Sequence, residues 1–311
     1  MDIYKTKALT GLLTISLLFS LLSCSSENSK EETSTKIKIV TTTGMIKDAV
    51  VNIVGDHAEV VGLMGSGVDP HLYKASPKDL KHIREADLIF YNGLHLEGNM
   101  TDVLEKVAKK KHVVSLGEQI PTSKLIALNE NGVYDPHIWF DVALWREGVA
   151  STIKELVKAD SVNAKAYEQN GKAYLKELDV LNGWVKEHLK VIPESQRVLI
   201  TAHDAFSYFG KAYDIEVKGL QGISTMSEYG LRDVKNLVDF IVENKIKSVF
   251  IESSVPIASI EAVVEGCKEK GHEVKIGGTL YSDAMGAEGT TEGTYLGMVR
   301  YNVETMVVGL K

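Results

Sequence analysis

The chain has 311 residues, of which 44% are hydrophobic and 25% are charged, and its formal net charge is −7. This length favours two domains over one, and the composition is that of a soluble globular protein with enough apolar side chains to build a core. The acidic balance argues against a nucleic-acid partner, which would require a basic surface.

The first 24 residues have the features of a lipoprotein signal. Two lysines precede an apolar run over residues 8–22, which is too short for a stable transmembrane helix. The run ends in the sequence LLSC, which resembles the bacterial lipobox and finishes at Cys24. We expect Cys24 to be lipidated, anchoring an exported protein to the bacterial membrane, where it faces the periplasm or the cell exterior. An ordinary signal peptide with an incidental cysteine is the alternative.

Residues 25–35 (SSENSKEETST) contain no apolar side chain that could be buried, so we predict a disordered tether there. The second cysteine, Cys267, lies in an apolar pattern with helical spacing. We predict that it is a small buried side chain without a disulfide partner.

Strands and helices alternate through the next segment, which we take as a first lobe over residues 36–158. The pattern predicts strands at 36–42, 58–64, 88–91 and 112–115, with helices at 45–54, 77–86 and 99–108. This alternation, with short connecting loops, is typical of a parallel sheet flanked by helices.

The alternation stops between residues 142 and 191, where the sequence predicts little but helix. Its second part, over 161–189, has a continuous apolar stripe interrupted only by two glycines. A helix of this length would span about 43 Å, enough to cross a domain. We therefore predict that residues 159–191 form a long, rigid linking helix.

The alternation returns in a second lobe, which we assign to residues 192–311. The predicted strands are 197–201, 215–220, 248–252 and 273–277, and the predicted helices are 231–243, 257–270 and 295–310. The predicted fold class is therefore α/β, with two lobes that each contain a parallel sheet flanked by helices.

Four side chains that can ligate metals lie beside these elements. His71 follows the second strand, His137 precedes the helix that begins near residue 142, His203 follows strand 197–201, and Asp283 follows the last strand. Ligands of open α/β sheets bind at the carboxyl ends of strands. Three imidazoles and a carboxylate form an ordinary zinc ligand set. Taken singly, an Asp-Pro-His segment is more often a loop than a ligand site, His203 is also consistent with a hydrogen-bonded strand end, and Asp283 with a helix cap or a turn.

Carboxylates near these histidines are expected to accept the second imidazole N–H and so orient the rings. The candidates that lie close in sequence are Asp69, Asp135, Asp141 and Asp204. His95 is a further candidate for the lining of a cleft, whereas the other histidines are expected at surface positions.

Six segments carry a family resemblance that covers almost the whole chain after the signal. They resemble, in the same order, those of the zinc/manganese class of solute-binding lipoproteins of ABC importers. The segments are GVDPHLYKASPKD (67–79), YNGLHLE (91–97), DPHIWFD (135–141), TAHDAFSYFGKAY (201–213), QGIST (221–225) and SDAMGAEGTTEGTYLGMVRYN (282–302).

The resemblance implies two lobes joined by one rigid helix, with a metal ion buried in the cleft between them. His71, His137, His203 and Asp283 match the family's four ligand positions. Histidine at the third position implies zinc, in some members also manganese, whereas glutamate there goes with manganese. Residues 126–134 lack the histidines that many zinc members carry in this loop. We favour Zn²⁺, with Mn²⁺ as the alternative.

The expected function is capture of this ion and its delivery to a permease and ATPase complex of an ABC importer. We expect a monomer that is not an enzyme. The alternatives are a metal-dependent hydrolase, which requires an open coordination position, a surface adhesin, and a binding protein for an organic solute. Because the histidines must be unprotonated to bind, affinity should fall as pH drops below about 6.5.

Overall fold

The computed structural model describes residues 36–311, which form one compact unit. The predicted signal, the lipidation site Cys24 and the tether at 25–35 lie outside the described residues. Within residues 36–311, every helix falls short of the length or hydropathy that a bilayer-spanning segment needs.

The first lobe contains four parallel strands in the order β2-β1-β3-β4. Its central strands are buried because both faces of the sheet are covered by helices, as apolar parallel strands require. Strands β3 and β4 have the predicted limits, and the others differ by one or two residues. The elements are β1 (Ile37–Thr41), α1 (Gly44–Val54), β2 (Ala58–Gly62), α2 (Pro77–Glu85), β3 (Leu88–Tyr91), α3 (Thr101–Ala108), β4 (His112–Ser115) and α4 (Val142–Ala159).

The long helix, α5, runs from Ala164 to Leu189 and has 26 residues, which corresponds to about 39 Å. It begins three residues after the start of the apolar stripe at 161 and five after the start of the predicted linking helix at 159, because Asp160 organises the turn between α4 and α5. The Asp160 carboxylate accepts hydrogen bonds from Asn163 Nδ2 and Tyr167 Oη, both at 2.7 Å.

Two glycines of α5 have opposite surroundings. Gly171 faces α4 so closely that a Cβ atom there would lie 2.5 Å from Ile153 Cδ1, whereas a Cβ at Gly183 would meet nothing within 4 Å. We expect Gly171→Ala to lower the free energy of unfolding by about 1–3 kcal/mol, because the helices must separate.

The matched change Gly183→Ala should raise the free energy of unfolding by about 0.5–1 kcal/mol, through the better helix propensity of alanine. Urea denaturation of both variants checks the pair of predictions. If both variants changed the free energy of unfolding equally and in the same direction, close packing between α4 and α5 would not explain the effect of Gly171→Ala.

The second lobe contains two parallel strand pairs, β5-β6 and β7-β8, with β5 next to β7. Its elements are β5 (Val198–His203), α6 (Ser207–Tyr213), β6 (Glu216–Gln221), α7 (Leu231–Glu243), β7 (Ser248–Glu252), α8 (Ala258–Glu269), β8 (Lys275–Leu280) and α9 (Tyr295–Leu310). The predicted fold class, with parallel sheets flanked by helices, is confirmed. Cys267 is fully buried, as predicted.

Strands β5 and β6 and helix α8 differ from their predicted limits by one or two residues, and two further elements differ more. Helix α6 was not predicted, and β8 lies two to three residues beyond the predicted strand at 273–277. The strand continues through Gly277, where the ring of Phe250 leaves no room for a side chain.

The described residues form three hydrophobic clusters, and the largest of them extends through both lobes and α5. It contains side chains from α1, α4, α5 and α9, together with residues of β1, β3, β5 and β7. Helix α5 packs directly against α1, α4 and α9. The lobes are therefore joined by buried side chains as well as by the chain that connects them.

Candidate metal centre

The four side chains singled out in the sequence meet at one point between the lobes. His203 is the last residue of β5, Asp283 follows β8, His71 lies in the loop after β2, and His137 precedes α4. All four are buried, and one donor atom from each lies within 4.8 Å of the others. The structure thus brings together all four predicted residues, two from each lobe.

The three imidazole nitrogens lie at a distance from Asp283 that suits neighbouring ligands of a tetrahedral metal site. The Nε2 atoms of His71 and His137 lie 3.5 Å from Asp283 carboxylate oxygens, and His203 Nε2 lies 3.3 Å away. With metal–ligand bonds of about 2.1 Å, neighbouring donors of a tetrahedral site are about 3.4 Å apart. These three nitrogens and both Asp283 oxygens have no hydrogen-bond partner among the described residues, so a cation would satisfy all of them.

Two of the three histidines are oriented by carboxylates. Asp135 Oδ1 accepts hydrogen bonds from the backbone N–H of His137, at 2.9 Å, and from its Nδ1, at 2.7 Å. Glu252 uses one oxygen for the backbone N–H of His203, at 2.8 Å, and the other for its Nδ1, at 2.6 Å. A proton held on Nδ1 leaves Nε2 free to ligate a metal.

Sequence reasoning identified Asp135 but missed Glu252. Of the other candidates, Asp69 contacts His71 through its backbone N–H and not through its ring, Asp141 caps α4 and Asp204 accepts a hydrogen bond from Ser207. Glu252 ends the apolar strand β7. Glu252 could have been predicted from its position, because it is a carboxylate at the carboxyl end of a strand, which is the edge of the sheet where ligands bind.

Burial and the neighbouring charges shift the pKa values of His71, His203 and Asp283. Burial lowers the pKa of His71 to about 4. Burial also disfavours the charged form of His203, but the carboxylates of Glu252 and Asp283 outweigh it and raise its pKa well above the ordinary value. Burial alone would raise the pKa of Asp283, yet the surrounding imidazoles, His203 first, hold it well below its usual range.

These shifts predict that metal uptake displaces a proton from His203. Its raised pKa keeps the ring protonated at neutral pH without metal, whereas a metal needs the free Nε2. Apparent affinity should therefore fall by about tenfold per pH unit, beginning above the reference value of about 6.5. His71 would compete with protons only near pH 4, where its own pKa lies.

Calorimetry in buffers of different ionisation enthalpy measures the proton count, which should be about one per ion at pH 7. Competition with a chelator of known proton affinity measures how the apparent metal affinity changes with pH. An affinity that stays constant from about pH 7.5 to about pH 5 would contradict the prediction, because that span brackets the reference histidine value.

Hydrogen bonds from large aromatic side chains connect the loop that carries His137 to the second lobe. Trp139 packs edge-on against the His137 ring and donates from Nε1 to the carbonyl of Ser282, at 3.0 Å. Tyr208 donates its hydroxyl hydrogen to the carbonyl of Asp135, at 2.9 Å, and Tyr295 to that of Trp139, at 2.7 Å. His137 is therefore held in place from both lobes.

His95, the additional candidate from the sequence, is exposed and does not belong to the buried cluster. Its φ of 67° follows that of Leu94, at 52°, in a turn held by the buried Glu97 carboxylate. Over residues 36–311, the cluster at the cleft is the one group of acidic, histidine or cysteine side chains with metal-ligand spacing.

The chain is similar to known proteins along almost its whole length. The family model described as "ZnuA: Zinc-uptake complex component A periplasmic" matches residues 39–309. The manganese-binding lipoprotein MntA of Bacillus subtilis is 50% identical over 293 residues, which cover 94% of this chain and 96% of MntA. The zinc-binding protein TroA of Treponema pallidum is 47% identical over 272 residues, or 88% of each chain.

The solved structure of the periplasmic zinc-binding protein TroA superposes with a TM-score of 0.87 at 47% identity, covering 88% of this chain and 99% of TroA. It has the same two-lobe architecture with a long connecting helix. From the family match over residues 39–309 and the similarity along nearly the full length of these relatives, the chain belongs to the zinc/manganese class of solute-binding lipoproteins of ABC importers.

Proposed function

We propose that this protein captures a divalent transition-metal ion outside the cytoplasm and delivers it to the permease and ATPase of an ABC importer. The observation that carries the proposal is the buried centre, in which His71, His137, His203 and Asp283 present unpartnered donor atoms to one point. These four side chains are the proposed ligands, two from each lobe. Capture, not catalysis, is the proposed activity, because four protein donors fill a tetrahedral coordination sphere and leave no position for a reacting water.

Zinc is the proposed cargo. Three imidazole nitrogens favour Zn²⁺ over Mn²⁺, as does the general order of affinities for divalent metals. Manganese is the second candidate, for two reasons. Both oxygens of Asp283 face the histidines, so the carboxylate can bind through two atoms and raise the coordination number. In addition, the relative from B. subtilis is named as manganese-binding.

The proposed organisation assigns residues 36–158 and 192–311 to the two metal-binding lobes and 159–191 to the linking helix. The proposed anchor is a lipid on Cys24, followed by a tether over residues 25–35, and the proposed functional unit is a monomer. This arrangement would hold the metal centre close to the importer in the membrane.

Elemental analysis of the protein purified without added metal tests the proposal. We expect about one ion per chain, and more zinc than manganese after dialysis against equal buffered concentrations of both. Preferential retention of manganese would favour the second candidate. A protein that binds neither ion after loading would refute the proposed function.

A further inference from the structure

The ring of His71 lacks the support given to the other two histidines. Asp135 binds Nδ1 of His137 and Glu252 binds Nδ1 of His203, but Nδ1 of His71 has no hydrogen-bond partner within residues 36–311. Since ligand histidines are ordinarily oriented through this second nitrogen, the position of His71 must depend on its backbone and on packing.

Asp69 fixes that backbone and also connects it to the opposite lobe. Its Oδ1 accepts a hydrogen bond from the backbone N–H of His71, at 2.8 Å. Its Oδ2 accepts one from the hydroxyl of Thr225, at 2.6 Å, although Thr225 lies 156 residues further along the chain. One carboxylate therefore binds both the His71 loop and the second lobe.

Thr225 lies in a turn that is attached to the strand of another proposed ligand. Gln221, the last residue of β6, donates from its side chain to the carbonyls of Thr225 and Ser227. In the parallel pair β5-β6, Gln221 is the register partner of His203. A continuous series of contacts thus runs from His203 through Gln221, Thr225 and Asp69 to His71.

The same turn contacts the first lobe beside His71. Met226 approaches Gly98 so closely that a Cβ there would lie 3.1 Å from the Met226 sulfur and 3.7 Å from the carbonyl oxygen of His71. Asn99 donates to that carbonyl, at 3.3 Å. The loop of His71 is consequently enclosed between its own lobe and the turn over residues 222–228.

We propose that Thr225 is a positioning residue for His71, acting through Asp69 across the cleft. This inference rests on the proposed function and deepens it. The hydrogen bond between Thr225 and Asp69 exists only while the lobes are together, so it makes correct placement of His71 dependent on closure. When the lobes separate, His71 loses its support first, whereas His137 and His203 keep carboxylate partners from their own lobes. The path of metal release therefore begins at His71.

The experiment compares zinc release from Thr225→Val, Thr225→Ser and wild-type protein, by transfer of Zn²⁺ to a chromogenic chelator in excess. Valine retains the shape of threonine but cannot donate, so we expect release about 10–100-fold faster, the usual effect of losing a hydrogen bond to a charged group. Thr225→Ser keeps the hydroxyl and should restore slow release. The control Ser227→Ala removes an exposed hydroxyl from the same turn and should leave release unchanged.

A double-mutant cycle with His71→Ala separates positioning from a general effect on structure. If Thr225 acts through His71, Thr225→Val should not accelerate zinc release further once His71 is absent. An unchanged release rate in Thr225→Val, or an equal effect in the presence and absence of His71, would overturn the inference while leaving the proposed function intact. Wild-type zinc affinity in His71→Ala would instead overturn the proposed ligand set.

Discussion

Replacement of His203 by alanine is expected to lower zinc affinity by more than about a hundredfold, so that the purified variant carries almost no metal. Loss of a residue that only orients a ligand already costs about 10–100-fold, and His203 supplies a donor atom itself. Its Nε2 lies 3.3 Å from Asp283 in a fully buried position. Elemental analysis and chelator competition measure the loss.

A second variant separates ligation from folding, since His203→Ala also leaves Glu252 without its ring partner. In His203→Asn, the side-chain amide can donate to Glu252 in place of Nδ1, but no atom replaces Nε2. We expect this variant to fold and yet to bind zinc as weakly as the alanine variant. His188→Ala, which changes an exposed histidine of α5, is the control. Normal metal content in His203→Asn would contradict the ligand assignment.

Replacement of Glu252 by glutamine is expected to weaken zinc binding by about 10–100-fold. Both carboxylate oxygens of Glu252 accept hydrogen bonds from His203, one from the backbone and one from Nδ1. Glutamine has only one acceptor oxygen. When this oxygen binds the backbone N–H, the amide N–H faces Nδ1 and favours the tautomer with its proton on Nε2, where the metal should bind.

Asp135→Asn provides the matched comparison, because Asp135 contacts His137 through a single oxygen. That oxygen accepts from both the backbone N–H and Nδ1, and an asparagine can retain both bonds. We expect affinity to fall by less than about tenfold in this variant.

Proton release on metal binding is a second measurement. Glu252→Gln should reduce the number of protons released at pH 7, because Glu252 helps to raise the pKa of His203. Equal losses of affinity in the two variants would refute the role assigned to the second oxygen.

Much of the fold was predictable because local patterns determine it. Strands β3, β4 and β7 and helices α7 and α9 have the predicted limits, since short apolar runs and helical stripes mark them clearly. Helix α6 was missed because it has only seven residues, among them Gly210, and its aromatic side chains are poor helix formers. Its stability comes from burial of Tyr208 and Phe209 in the core, which is a tertiary effect.

The proposed ligands were predictable because imidazole and carboxylate side chains at strand ends carry a chemical signal of their own. The groups that orient them were only partly predictable. Asp135 is two residues from His137 and was found, whereas Glu252 is 49 residues from His203 and contacts it only because β5 and β7 lie side by side. The bond between Thr225 and Asp69 spans 156 residues and both lobes. Such pairs depend on how the strands are arranged in space, which spacing along the chain does not specify.

The core that extends through both lobes has a consequence for the timing of metal exchange. Separating the lobes widely would expose side chains that α5 now packs against α1, α4 and α9, and such exposure resembles partial unfolding, whose rate rises about three- to sixfold per 10 °C. We therefore expect spontaneous escape of the ion to be slow and steeply temperature-dependent. Between encounters with its importer, the protein would then keep its ion bound and would not exchange it rapidly with the surrounding solution.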